Sequence, residues 1–164
     1  MYNIIEMFNI PKQKIVDKNR KCGDCTACCT VLAINEISKP QHVSCDFLKK
    51  DCYGCSIFNT TIPNSCDTYK CYWLAGYGFN EHRPDKSGVL IDYREFSYGK
   101  YLTARPVYEN ATKSIEGLDC INHAAQNDLI LVLDLKAENI KCISGPEDEV
   151  ETFSKKYIEG NNSK

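Results

Sequence analysis

The sequence predicts an α+β protein in which a cysteine-rich, loop-rich lobe packs on a small antiparallel sheet with two helices. Three observations carry that expectation. Nine of the eleven cysteines fall between Cys22 and Cys71, in a stretch broken by Gly23, Pro40, Gly54 and Pro63 and poor in apolar runs. Beyond it, GVLIDYREF at 88–96 and KYLTARPVYEN at 100–110 are rich in β-branched and aromatic residues and read as two strands joined in a hairpin. Two later segments carry helical start and stop signals.

In chain order, residues 1–21 form an N-terminal segment with a short helix or extended stretch over NIIEMF, ahead of Pro11. Residues 22–75 form the cysteine lobe. Too few apolar residues are continuous there for a conventional core, and small segments of that kind need a staple. Residues 76–164 form the α+β lobe. SIEGLDCINHAAQNDL at 114–129 opens with Ser114 as a helix cap, with Gly117 where a capping box would place an acid or amide. Leu118, Ile121, Ala125 and Leu129 recur behind it at helical intervals. LILVLDL and NIKCISG read as two more strands about a turn at KAEN. The final helix has Pro146 in its first turn, acids early, lysines late and Gly160 as a stop. No linker composition separates the two lobes, so one compact unit is expected.

Composition excludes several classes. The formal net charge of -2 gives no basic excess for nucleic acid. The longest apolar run, LILVLDL, is far too short to span a bilayer, so no membrane partner is expected. The opening residues lack the charged-then-apolar order of a secretory signal, since Glu6 interrupts the apolar part. A cytoplasmic location follows as the expectation. An odd number of cysteines cannot pair fully, and a reducing compartment disfavours dense disulfides, so the pattern points to metal or redox chemistry.

The run KCGDCTACCT at 21–30 places Cys22, Cys25 and Cys28 at C-x2-C-x2-C spacing, with Cys29 adjacent. Whether helix or loop, this gathers soft donors, and neighbouring thiolates repel unless a cation holds them. The first three match the opening of a bacterial ferredoxin run, and the fourth departs from it. For zinc, Cys22–Cys25, Cys25–Cys28 and Cys52–Cys55 each have the spacing of a ligand pair. Zinc ion and iron–sulfur cluster both suit an all-thiolate donor set, and the choice stays open.

CGDCTACC, then Cys45 in CDFL, Cys55 in CSIF, and Cys66 and Cys71 in CDTYKC resemble the CxxCxxCC family, also called YkgJ-like. That family is described as a zinc- or iron-chelating domain with eight characteristic cysteines. The resemblance implies metal ligation by Cys22, Cys25, Cys28, Cys29, Cys45, Cys55, Cys66 and Cys71. It runs on into HRPDKSGV. Phe58 stands where the family commonly has Tyr, and Ile62-Pro63 where it has Arg-Pro. Cys52 is an additional thiol that could replace Cys55, so the candidate metal ligands number nine with it.

The remaining chemistry-bearing residues read more plainly. His42, three before Cys45, could complete a mixed site but is expected at the surface. His82 and His123 have no paired partner. EHRPDKSG at 81–88 is expected to be a solvated turn, with Arg83 or Lys86 binding an anion beside a metal as the sharper alternative. Tyr69, Tyr72, Trp73, Tyr77 and Phe79 are expected to shield the cluster. Cys120 and Cys142 read as buried small hydrophobes. The leading expectation is a metal-binding protein. The alternatives are an iron–sulfur redox enzyme or electron carrier, and a redox-sensing interaction protein acting through Cys28–Cys29. A protein partner would meet the second lobe.

Overall fold

The computed structural model describes residues 17–51, 53–58, 60–96 and 99–162. The α+β class holds, with two corrections: the sheet is mixed, and five α-helices rather than two occur among the described residues. Three of these are single turns: α1 (Ala27–Val31), α2 (Asn64–Thr68) and α3 (Pro84–Ser87). The four strands are β1 (Val89–Phe96), β2 (Gly99–Pro106), β3 (Ile130–Leu133) and β4 (Ile140–Ser144), hydrogen-bonded in sequence order. The two long helices are α4 (Ile115–Ala125) and α5 (Glu147–Asn162). The segment expected over NIIEMF lies outside the described residues.

β1 and β2 pair antiparallel from Val89↔Pro106 to Phe96↔Gly99, as their composition predicts. β2 and β3 pair parallel, Leu102 opposite Ile130. The connection explains it: a hairpin reverses the chain, whereas α4 carries it back so that β3 starts alongside β2 and runs the same way. β3 and β4 are again antiparallel.

Ser114 caps α4, its Oγ accepting from the Gly117 N–H at 3.0 Å. Gly117 is there because a Cβ would stand 2.0 Å from the Ala111 carbonyl oxygen. The buried stripe of α4 is Gly117, Cys120, Ile121 and Ala124; Leu118 faces solvent instead. In α5, Gly160 lies inside the helix rather than stopping it, and Pro146 accepts from the Val150 N–H at 3.0 Å.

Strand alternation sorts the sheet into two faces. Val89, Ile91, Leu102, Ala104, Ile130 and Val132 meet α4 through Cys120, Ile121 and Ala124, with Tyr72 closing the cluster. On the opposite face Leu90 packs with Ala27, Val31, Cys71 and Trp73, so α1 and the cysteine-rich segment lie against this side of β1. The far end of that face, through Tyr101 and Leu131, is covered by Phe153 of α5. Cys120 is buried as expected. Cys142 is exposed, on the edge strand β4.

Arg20 fastens the start of the described chain. It donates to the carbonyls of Trp73, Tyr77 and Gly78 at 3.1, 2.7 and 2.6 Å, and its guanidinium stands 4.8 Å from the Trp73 ring centroid. No helix among the described residues is long and apolar enough to cross a membrane.

Candidate metal centre

Cys22 and Cys25 occupy one turn, closed by the Cys25 N–H on the Cys22 carbonyl at 3.1 Å. Gly23 permits it with φ +59°, a left-handed conformation that L side chains adopt rarely. α1 follows at once and carries Cys28 and Cys29. The Cys45 N–H then donates to the Cys29 carbonyl at 3.1 Å, and Leu48 bridges to Cys55. Cys66 rides on α2, which Glu36 holds by accepting from the backbone and hydroxyl of Ser65.

Seven of the nine predicted ligands line one cavity of about 410 Å³: Cys22, Cys25, Cys28, Cys29, Cys45, Cys55 and Cys66. Cys71 sits behind it, packed with Trp73 and Leu90 and with Cys25 and Cys28 against them. Its Sγ accepts from the Leu74 N–H at 3.4 Å. Cys52 lies outside the described residues. As the side chains stand, no group of three or more histidine, cysteine, aspartate or glutamate residues among the described ones is closed around an ion. The donor set fits a thiophilic metal by number and type of donor.

The electrostatics set the problem a metal would solve. Burial pushes up the thiols of Cys22, Cys25 and Cys66, and Cys71 to about 11. Each also feels neighbouring thiolates. Cys28 and Cys29 are in direct contact: their hydrogen bond, with Lys39 assisting, lowers Cys29 to about 7, while Cys28 is driven up. Two cations flank the group. Lys39, 6% exposed, is held by the carbonyls of Leu32 and Pro40 and sits within electrostatic reach of Cys28, Cys29, Cys45 and Cys66. Arg83 pairs with Asp24 at 2.9 Å and Asp85 at 2.5 Å beside Cys22 and Cys25.

In reduced, metal-free protein Cys29 is therefore expected to alkylate first. The thiolate is the nucleophile, so its labelling should rise as pH climbs through about 7, ahead of Cys71 at about 11. A brief iodoacetamide pulse read by peptide mass spectrometry checks this. Uniform labelling across the lining thiols would contradict it.

Residues 81–88 are not the solvated turn expected. His82 and Ser87 are buried, and Arg83 reaches the cysteine turn. His82 has both ring nitrogens engaged, Nδ1 by the Phe79 N–H at 3.1 Å and Nε2 by Asp119 at 2.9 Å, on the side of α4. His42 is half-buried rather than at the open surface, and its charge neighbours are Arg105, Lys39 and Asp134.

Of the aromatics expected to shield the cysteines, Trp73 packs with Cys71 and Tyr69 lines the cavity, whereas Tyr72 and Tyr77 belong to the α4 cluster on the other face and Phe79 is exposed. Sequence reading missed Lys39, and it missed Arg94 and Arg105, which line the cavity from the sheet. The signal for the arginines was present. Asp92 and Arg94 follow Leu90 at a spacing of two, which places them on its face.

The chain was compared with protein-family models, with curated proteins and with solved structures. None of the three finds a match.

Proposed function

We propose that this chain is a metal-binding protein whose clustered cysteine thiolates hold zinc or an iron–sulfur cluster. One observation carries the reading: seven thiols, four from residues 22–29 and the others at 45, 55 and 66, line a single cavity, with an eighth packed behind it. The resemblance of the cysteine spacing to the CxxCxxCC family points the same way. Eight thiols packed for their own sake would leave several groups whose ionisation is mutually disfavoured. A bound thiophilic cation converts that repulsion into ligation, and Lys39 and Arg83 offset the negative charge that remains. Zinc would supply a structural tie or a Lewis acid; an iron–sulfur cluster would supply electron transfer.

The test is metal and acid-labile sulfide analysis of anaerobically purified protein, alongside its visible spectrum. Stoichiometric zinc, or iron with sulfide, is the expected result. Protein with neither, and with Cys25→Ser as stable as the parent, would sink the reading. A second reading, a cluster-dependent enzyme, is favoured by the cavity itself, whose apolar wall of Ile34, Ile37, Ile57 and Phe58 leaves room for more than an ion. Brown protein with reversible bleaching on reduction would select it.

A further inference from the structure

We propose that the thiols form two separate four-thiolate centres that abut at α1: an inner one of Cys22, Cys25, Cys28 and Cys71, and an outer one of Cys29, Cys45, Cys55 and Cys66. This rests on the metal-binding reading above and adds which thiols share each centre.

Packing divides the thiols first. Cys25 and Cys28 lie with Cys71 against Trp73 and Leu90, whereas Cys45, Cys55 and Cys66 take no part in that cluster. Cys71 in turn does not line the cavity on which Cys45, Cys55 and Cys66 open.

Backbone connections divide them the same way. The turn at Gly23 joins Cys22 to Cys25, and the bond from Cys45 joins it to Cys29. Leu48 links both neighbours of the outer set, its N–H bonded to the Cys45 carbonyl and its strand bridge made with Cys55.

Charge proximity separates the ends of the two sets. Cys71 feels Cys22 and Cys25, while Cys66 feels Cys29, Cys45 and Cys55. Cys29 is the joint, since Cys22 and Cys28 feel it too. Successive side chains on a helix diverge by about 100°. Adjacent cysteines on α1 can therefore serve two centres that touch where Cys28 meets Cys29. The count closes as well: four thiolates complete a tetrahedral zinc site or hold a cluster.

The surroundings give the two centres different roles. Cys71 of the inner set is enclosed by Trp73, Leu90 and the Leu74 N–H, and Arg83 stands beside Cys22 and Cys25 as the set's cation, which suits a structural tie. The outer set has Lys39 beside it, and Cys66 is exposed at the cavity mouth. It is the one an incoming ligand or a competing chelator reaches first.

Native mass spectrometry of anaerobically purified parent, Cys71→Ser and Cys66→Ser proteins counts the centres whatever the metal. Two are expected in the parent and one in each variant. Iodoacetamide mapping then identifies the survivor. In Cys66→Ser, Cys29, Cys45 and Cys55 should label while Cys22, Cys25, Cys28 and Cys71 stay protected; Cys71→Ser should show the reverse. Because Cys71 is buried, Cys22→Ser stands in for it if that variant does not fold. A parent with a single centre, a variant that loses both, or protection that crosses the two sets overturns the partition and leaves metal binding intact. A parent with none overturns the metal reading itself.

Discussion

Replacing Asp92 with alanine is expected to lower the thermal midpoint by on the order of 10 °C, from a loss of about 3–5 kcal/mol. Asp92 is 2% exposed in the middle of β1, on the face that carries the cysteine-rich segment. Its Oδ1 accepts from Thr103 Oγ1 at 2.6 Å, and its Oδ2 accepts from Arg94 Nη2 at 2.7 Å and the Tyr69 hydroxyl at 3.2 Å. Burial and the Asp92 charge both hold the Tyr69 phenol well above its ordinary range, so it remains a donor. Alanine would strand a buried hydroxyl, a half-buried phenol and a half-exposed guanidinium together. An uncompensated buried partner costs more than its intact pair contributes.

Tyr69 and Arg94 also wall the cavity, so the loss should spread to the thiols. Asp92→Asn, which keeps the shape and part of the bonding, should cost markedly less. Thermal melts of the three proteins compare them. If alanine shifts the midpoint by no more than a typical surface substitution, the network does not hold this face of the sheet together.

Asp92 also shows where sequence reading stops. The strand was legible, because 88–96 is rich in β-branched and aromatic residues. The acid inside it reads as a solvent-facing position until something is known to lie over that face. The same limit applied to the parallel pairing of β2 and β3. Alternation is identical in either direction, and only the path of α4 decides which occurs. The helices α1, α2 and α3 span four or five residues, too short for periodicity to register. α4 and α5 were found because caps and charge placement are local signals, as Ser114 and the acids at 147–149 show.

For the candidate site, spacing foretold Cys22, Cys25 and Cys28 as neighbours. It could not say that Cys71, forty-six residues after Cys25, packs beside it while Cys66 faces Cys45. Nor could it show that His82 is occupied by Asp119, a residue on another helix.

Chelation under reducing conditions is expected to unfold residues 22–68 while the sheet stays folded. Among the described residues, the two clusters around α4 and α5 draw on none before Tyr72. The cysteine-rich segment, among the described residues, gives the buried apolar set only Ala27, Val31, Ile34 and Cys45 before Cys71, and its backbone bonds are mostly those of turns and single bridges. Ordering each residue costs about 1–2 kcal/mol of backbone entropy. So few buried side chains, at about 1.5–3 kcal/mol each, do not offset that over such a length. Metal ligation would supply the difference, as it does in small domains that fold only when loaded.

The pH dependence follows from the thiols. They bind metal only after losing protons, and burial raises their affinity for protons. Falling pH therefore favours the neutral thiols and weakens ligation, so less chelator should suffice under mildly acidic conditions than under mildly alkaline ones. Hydrogen exchange with and without chelator measures this directly. Amides of 22–68 should lose protection and those of β1 to β3 should keep it. Unchanged protection across 22–68 after full metal removal would mean that packing alone holds the thiols in place, and a metal-dependent fold for that segment would have to be abandoned.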